Sequence, residues 1–177
     1  MKLLVIDIET SGLNEHIDHI VEVAGVLLNT RNGKIKDKFS YLLNEYSTND
    51  NDRYAWIYVN SDLTFRDVKT KGLDWKYVGP KLQKLFNKYK VTCYNHAFDF
   101  RFLESRGFNF PIKFMDPMIY LTDVLKLGSN RDNYKWPSVQ EVINYYGWDV
   151  IEPHRALADA RIEARIVYEI LKEADKS

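Results

Sequence analysis

The chain has 177 residues, 45% hydrophobic and 28% charged, which is typical of one folded domain with a substantial core. Its 25 basic and 25 acidic residues balance, which argues against holding nucleic acid by bulk positive charge but permits a local grip on a few phosphates. No apolar run approaches the roughly 20 residues of a membrane helix, and the N-terminus, with acids among its first ten residues, is unlike a signal peptide. The single cysteine, Cys93, excludes an internal disulfide framework. We therefore expect one domain, residues 1–177, in a reducing, cytoplasmic setting.

The first part of the chain predicts an antiparallel meander of three strands. Lys2–Ile8 is an apolar strand, and the strand-like runs His19–Asn29 and Lys34–Leu43 flank the turn sequence Arg31-Asn32-Gly33. Asn-Gly between two such runs is a strong hairpin signal. Residues 46–74 are polar and irregular, and a connection of that length indicates a functional loop, a mobile segment or an unrecognised helix.

The second part alternates helices with short strands. Apolar spacing predicts helices over Trp75–Tyr89 and about Ala156–Ala174, and Gly107 closes another over Phe98–Arg106. Ser138-Val139-Gln140-Glu141 fits a capping box that opens one more helix. Short strands are expected at Val91–Tyr94 and Ile112–Met115. Three antiparallel strands followed by this alternation predict an α/β fold with helices packed on a mixed sheet.

Four acidic residues lie in apolar sequence, where burial of a charge is costly unless it is paired or bound to a metal. Asp7 and Glu9 leave the first strand two residues apart, so their side chains point to one face of the sheet. Asp99 lies between phenylalanines, and Asp159 lies among the alanines of the last helix. Carboxylates brought together repel one another. Divalent cations would resolve that repulsion, and carboxylate oxygens suit Mg²⁺ or Mn²⁺ rather than Zn²⁺.

Such a site could act on a phosphodiester. Two divalent cations can clamp a phosphodiester and stabilise both the attacking and the leaving oxygen. His154 lies five residues before Asp159, at the entrance to the same helix, where a histidine can take a proton from water.

Three segments in this order resemble the motifs of a known family: 7-DIET-10, 95-NHAFD-99 and 154-HRALAD-159. They are similar to the three motifs of the DEDDh, or DnaQ-like, 3′→5′ exonucleases, and the resemblance extends from Met1 to about Leu171. It implies a ribonuclease H-like α/β fold, with a mixed five-stranded sheet of order 3-2-1-4-5 and helices on both faces. It also implies hydrolysis of the 3′-terminal phosphodiester, with release of a nucleoside 5′-monophosphate.

The resemblance further implies a role for each residue that matches the motifs. The metal ligands for two Mg²⁺ or Mn²⁺ ions would be Asp7, Glu9, Asp99 and Asp159, with Asp7 bridging both ions. His154 would be the general base that activates the attacking water. Four residues would bind substrate: Thr10 through its backbone, Leu13 as a wedge against the terminal base, and Asn95 and Phe98 as walls of the pocket.

Several alternatives stay open at this point. The leading prediction is an exonuclease that acts on single-stranded DNA ends. One rival is an exoribonuclease similar to oligoribonuclease or ribonuclease T, and another is a proofreading subunit of a DNA polymerase. A catalytically silent nucleic-acid-binding module is the rival from another class, although such relatives usually lose an acid or the histidine. We expect a stand-alone enzyme, with a separate DNA polymerase left open as a partner. The sequence does not specify the oligomeric state.

The same residues also have plain structural interpretations. Asp99 would be favoured near a helix N-terminus by the helix dipole, and Asp159 could be a solvated position on a helix face marked by Arg155, Arg161 and Glu163. Glu22 is expected to have a structural or supporting role, and Cys93 to lie in the core. The loop with Lys126, Arg131, Tyr134, Lys135 and Trp136 could bind single strands by phosphate contact and stacking, or simply be solvated.

Overall fold

Four strands form the main sheet of the computed structural model, which describes residues 1–46, 52–130 and 133–175. In spatial order they are β3 (Ile35–Leu42), β2 (Ile20–Asn29), β1 (Lys2–Thr10) and β4 (Lys90–Thr92). β1 pairs antiparallel with β2 and parallel with β4. The predicted mixed sheet is therefore confirmed, with the order 3-2-1-4.

The predicted fifth strand is reduced to a bridge. Residues 112–114 lie beside β4 in parallel and are joined to it through Val91 and Lys113. A proline precedes this segment, and Asp116 caps the next helix, α5 (Pro117–Leu125), soon after it. The two boundaries leave few residues for pairing, so the segment takes the fifth position without becoming a strand.

Helices cover both faces of the sheet, as predicted. On one face, α7 (Ala156–Ala174) packs its small residues Ala160 and Ala164 against Leu3 and Val5 of β1. On the other face, α3 (Trp75–Lys88) and α4 (His96–Ser105) contribute apolar side chains to a core that contains Leu4, Ile6, Ile8 and the fully buried Cys93. Within the described ranges, no helix has the length and apolar character needed to cross a membrane.

Short helices occupy the irregular segment between β3 and α3. A 3₁₀ turn spans Asp52–Tyr54, and α1 (Trp56–Asn60) and α2 (Phe65–Lys71) follow it. This segment is anchored by a small apolar cluster that includes Val21, Ile57, Leu63 and Val68. Helices of one or two turns are too short to show a periodic apolar pattern, so the sequence indicated only that a helix could be present.

A capping box opens α6 (Val139–Tyr145), as predicted. Ser138 Oγ accepts from Glu141 N at 3.2 Å, and the Glu141 carboxylate accepts from Ser138 N at 2.8 Å. Ahead of α6, β5 (Ser129–Asn130) pairs with β6 (Asn133–Tyr134). Arg131, which the sequence grouped with the basic residues of this loop, lies outside the described residues.

Candidate active site

The four acids and the histidine singled out in the three motifs meet at one cavity of about 230 Å³. It is lined by Asp7, Glu9, Asn95, Phe98, Asp99, His154 and Asp159, among others. One carboxylate oxygen from each of Asp7, Glu9 and Asp159 lies within 4.8 Å of the other two. Residues 150 positions apart in the chain are therefore brought to one point, as the sequence predicts.

β1 presents two of these acids on one face. The strand continues to Thr10, two residues beyond its predicted end, so Asp7 and Glu9 lie within it. In register with β2, Asp7 is opposite Ala24, and Glu9 is opposite Glu22. This face of β1 packs against α7 through Leu3 and Val5. The same contact brings the first turn of α7, and with it Asp159, to the two acids.

Asp99 lies beside β1, beyond the point where β4 stops pairing with it. β4 pairs with β1 at residues Leu3–Val5, and further along Ile8 N donates to Asp99 Oδ1 at 3.2 Å. α4 places Asp99 there because the chain turns sharply at Asn95, whose φ of 65° is left-handed. Asparagine tolerates that conformation better than most residues. Asn95 thus shapes the turn that positions Asp99 as well as lining the cavity.

The start of α7 fixes Asp159 and His154. Arg155 N donates to Asp159 Oδ2 at 2.8 Å across the first turn. His154 has a left-handed φ of 52°, and its ring meets Trp56 of α1 edge-on, with 4.8 Å between ring centroids. The backbone conformation and the indole together hold the imidazole at the cavity.

Burial is the main cause of the raised pKa values in this cluster. It raises the pKa of Asp7 and Asp99 well above the usual range for a carboxyl group. Burial, followed by the charge of Asp159, raises the pKa of Glu9 to about 9. Burial also raises the pKa of Asp159 to about 7, against the lowering effect of the hydrogen bond from Arg155 N. The cluster therefore holds protons unless another positive charge replaces them.

The donor set fits divalent cations such as Mg²⁺ or Mn²⁺. Asp7 Oδ2 and Asp159 Oδ1 are buried, and neither has a hydrogen-bond partner within the described part of the chain. Buried polar atoms normally have partners, and hard cations prefer carboxylate oxygens. The acidic cluster is thus consistent with the divalent-metal dependence expected of such a site.

Two further acids line the cavity, and the sequence did not identify them as site residues. Glu163, which we expected on a solvent-facing side of α7, is only 3% exposed, so that prediction is wrong. It lies four residues after Asp159, and residues at that spacing share a helix face. Glu152 lies next to His154 and Asp159, and burial raises its pKa. The spacing between Asp159 and Glu163 was visible in the sequence. The position of Glu152 depends on the conformation of the loop before α7, which the sequence does not show.

Arg155 was also expected to face solvent and instead is partly buried in an ion pair. Its Nε donates to Glu22 Oε2 at 3.0 Å, and its Nη1 donates to Asp62 at 2.7 Å. Glu22 is buried, and it also accepts from Ala156 N at 3.1 Å. Glu22 therefore has the structural, supporting position expected of it. Arg161 does face solvent and pairs with Asp37.

A groove of about 490 Å³ adjoins the cavity, and Phe98 lines both. It contains the predicted substrate residues Thr10 and Leu13, the latter 78% exposed. Thr10 Oγ1 donates to Gly12 O at 2.6 Å and steadies the turn after β1. Trp56 forms part of the same groove and is 59% exposed. The sequence did not identify Trp56 because it lies in the segment without a motif.

Comparison with known proteins links this site to a family. The model of the RNase_T exonuclease family matches residues 4–167. The chain is 26% identical over 168 residues to a PolC-type DNA polymerase III of Thermotoga petrophila, which covers 92% of this chain. A PolC-type DNA polymerase III of Staphylococcus epidermidis is 25% identical over 171 residues and covers 96% of the chain. The chain spans about a tenth of the length of these relatives, 11% in both cases.

Solved structures show that the fold is shared. The nuclease domain of 3′hExo, described as a DEDDh family member bound to rAMP, has a TM-score of 0.71 and 19% identity, covering 97% of this chain and 92% of that domain. Escherichia coli exonuclease I in complex with a dA16 oligonucleotide has a TM-score of 0.73 and 15% identity, covering 98% of this chain and 41% of that one. The predicted ribonuclease H-like fold class is confirmed. Because the family model matches most of the chain, this protein belongs to the exonuclease family, and its motifs resemble those of the DEDDh, or DnaQ-like, 3′→5′ members.

Proposed function

We propose that residues 1–177 form a single exonuclease domain that degrades single-stranded DNA from its 3′ end and releases nucleoside 5′-monophosphates. The observation that supports this most strongly is the meeting of four motif acids and His154 at one cavity, next to a groove open to a nucleotide. DNA is preferred over RNA in this proposal because the curated relatives are DNA polymerases by name.

The proposed metal ligands are Asp7, Glu9, Asp99 and Asp159, with Asp7 shared by two Mg²⁺ or Mn²⁺ ions. When bound, two such cations supply positive charge to the attacking and the leaving oxygen of the phosphodiester. The buried carboxylate oxygens without partners support this assignment. So does the burial that raises the pKa values of these acids, because it leaves the cluster in need of positive charge.

His154 is the proposed general base. It accepts a proton from the attacking water as the water oxygen bonds to phosphorus and the bond from phosphorus to the 3′ oxygen of the penultimate nucleotide breaks. Its ring faces the cavity residues and is packed against Trp56. Such packing limits the orientations of the imidazole, which favours proton transfer in a fixed geometry.

The groove is the proposed position of the terminal nucleotide. The Thr10 backbone would contact the nucleotide, Leu13 would press against its base, and Phe98 would pack on its sugar or base. Asn95 would line the inner end, beside the acids. The exposed apolar surface of Leu13, and the place of Phe98 between groove and cavity, support these roles.

Two other functions have observations in their favour. A proofreading exonuclease acting with a DNA polymerase is suggested by the PolC-type relatives, in which the match covers 11% of the protein. An exoribonuclease is suggested by the similar fold of the 3′hExo nuclease domain bound to rAMP. A reducing, cytoplasmic setting, expected from the single cysteine, stays a prediction.

The decisive experiment is digestion of matched 5′-labelled single-stranded DNA and RNA with Mg²⁺, with Mn²⁺ and with EDTA. We expect a ladder that shortens from the 3′ end with either metal, faster on DNA, and none with EDTA or with Asp7→Asn protein. Asp37→Asn, which changes an acid on the exposed end of β3, is the matched control and should retain activity. Faster digestion of RNA would favour the exoribonuclease, and intact strands under every condition would overturn the proposal.

The proofreading alternative needs a different substrate. A labelled primer annealed to a template, ending in either a paired or a mismatched nucleotide, separates the two functions. Equal and slow removal of both ends indicates an enzyme for single strands. Preferential removal of the mismatched end, increased by an added DNA polymerase, would support the proofreading role.

A further inference from the structure

A second set of metal ligands overlaps the acidic cluster. Glu152, His154 and Asp159 each offer one ligand atom, and the three atoms lie within 4.8 Å of one another. This set shares Asp159 with the group formed by Asp7 and Glu9. It differs from that group because one of its donors is an imidazole nitrogen.

The nitrogen changes which ions the site prefers. An imidazole with two carboxylates suits Zn²⁺, Co²⁺ or Ni²⁺, whereas sites built from oxygen alone suit Mg²⁺ and Mn²⁺. Zinc bonds of about 2.1 Å place neighbouring donors roughly 3.4 Å apart in a tetrahedral site. The donor atoms, now up to 4.8 Å apart, would therefore have to move closer together by rotation of their side chains to share one ion.

Asp159, which both groups share, supplies a reason to expect an ion that does not depend on the spacing of the donors. Its side chain is 3% exposed, and its Oδ1 is a buried atom for which the described residues provide no hydrogen-bond partner. Its other oxygen is fixed by Arg155 N at 2.8 Å. A buried acceptor left without a partner normally indicates a water or an ion that satisfies it.

The residues that carry the other two donors contact separate elements. Glu152 N donates to Gln140 Oε1 of α6 at 3.1 Å, which ties the loop before α7 to that helix. The His154 ring packs edge-on against Trp56 of α1. The backbone of Glu152 and the ring of His154 are therefore tied to two different helices, which lowers the cost of ordering these residues around an ion.

We propose that Glu152, His154 and Asp159 form an inhibitory site for a zinc-like transition-metal ion. An ion there uses the His154 lone pair that would otherwise accept the proton of the attacking water, and it draws Asp159 away from Asp7 and Glu9. The inhibition rests on the proposed exonuclease function. The binding site itself does not, so the two can be tested separately.

Binding is tested on Asp7→Asn protein, in which the all-oxygen group is impaired, with Mg²⁺ present in excess. We expect one Co²⁺ ion per chain, with visible absorption bands, and displacement by Zn²⁺ in calorimetry. Adding His154→Asn or Glu152→Gln should weaken Zn²⁺ binding by roughly tenfold or more, since each removes a ligand. Adding Asp149→Asn, an exposed acid in the same loop, should leave binding unchanged. Equal Zn²⁺ affinity with and without Glu152→Gln would overturn the site.

Inhibition is tested by titrating Zn²⁺ into the Mg²⁺-dependent reaction, with each variant normalised to its own rate without zinc. The zinc concentration that halves the rate should rise roughly tenfold or more in Glu152→Gln and stay unchanged in Asp149→Asn. Binding without inhibition would overturn the regulatory role while leaving the site. A wild-type protein with no nuclease activity would overturn the proposed function, and the Co²⁺ measurement would still decide whether the ion binds.

Discussion

Glu163 Oε2 accepts a hydrogen bond from the backbone amide of Tyr94 at 3.1 Å, within the core and 69 residues away in sequence. Tyr94 immediately precedes Asn95, where the chain turns into α4 and towards Asp99. Glu163 lies one helical turn after Asp159. The contact therefore joins the helix that carries one acid of the cluster, Asp159, to the turn that positions another, Asp99.

Loss of this contact is expected to destabilise the fold. Glu163→Leu leaves the buried Tyr94 amide without an acceptor, which costs about 1–3 kcal/mol of unfolding free energy in urea titrations. Glu163→Gln keeps an acceptor oxygen at the same distance, so it should retain most of the stability. Equal stability of Glu163→Leu and wild type would show that the hydrogen bond contributes nothing.

Arg155 and Arg161 offer a matched comparison on one helix. Arg155→Ala removes the partner of the buried Glu22 and should cost about 3 kcal/mol of unfolding free energy, because a buried charge loses its pair. Arg161→Ala breaks an exposed pair with Asp37 and should cost less than about 1 kcal/mol. The same cost for both would argue against a structural role for the Glu22 pair.

Replacement of His154 tests proton transfer. His154→Asn retains a residue type that tolerates the left-handed backbone, so the fold should persist. We expect kcat to fall roughly 10²–10⁴-fold with little change in KM, as is usual when a general base is removed. Steady-state kinetics on a labelled oligonucleotide gives both values, and unchanged kcat would remove His154 from the reaction.

Replacement of Trp56 tests whether residues 46–74, which contain no motif, contribute to substrate binding. Trp56→Leu removes a wall of the proposed nucleotide groove, so KM should rise several-fold, while the melting temperature changes little because the side chain is largely exposed. Tyr54→Leu, a nearby exposed aromatic outside that groove's lining, is the control and should leave KM unchanged. A large fall in melting temperature in Trp56→Leu would indicate a structural role instead.

The acidic cluster predicts how the metal-free protein responds to pH. The pKa of Asp159 is raised from 3.8 to about 7 and that of Glu9 from 4.5 to about 9, so the folded state holds more protons than the unfolded state in between. Stability from these groups is complete below their unfolded pKa values and is lost as pH rises through 7 and then 9.

In EDTA, the melting temperature should therefore fall on the order of 10 °C between about pH 6 and about pH 9. Mg²⁺ or Mn²⁺ should raise it more at the higher pH, because cations bind the ionised carboxylates. Glu9→Gln should reduce the slope. A melting temperature that rises over this interval in EDTA would contradict the raised pKa values.

The parts of the fold that were predictable are those with strong local signals. The periodic apolar residues of α7 predicted the bounds of that helix, and the capping box of Ser138 and Glu141 predicted the start of α6. The fifth strand was overestimated, because an apolar run between prolines looks like a strand whether or not it has room to pair. The short helices α1 and α2 had no periodic signal, so Trp56 could not be placed.

The candidate site, like the fold, was predictable only where the sequence carries a strong local signal. The five residues proposed for the site were chosen because each lies in a recognisable motif, and all of them line one cavity: Asp7, Glu9, Asp99, His154 and Asp159. Glu163 was misplaced because charge on a helix was taken as exposure, although its spacing from Asp159 indicated the buried face. The tie between Arg155 and Glu22 joins residues 133 positions apart, and no local pattern carries that information.

The hydrogen bond from Ile8 N to Asp99 Oδ1 has a consequence for spectroscopy. The amide lies between Asp7 and Glu9, beyond the residues of β1 that pair with β4, and a carboxylate takes the place of a neighbouring strand. Its proton resonance and its rate of exchange with deuterated water therefore depend on the position and charge of Asp99. A single backbone amide thus reports on the acidic cluster without any need for substrate or turnover.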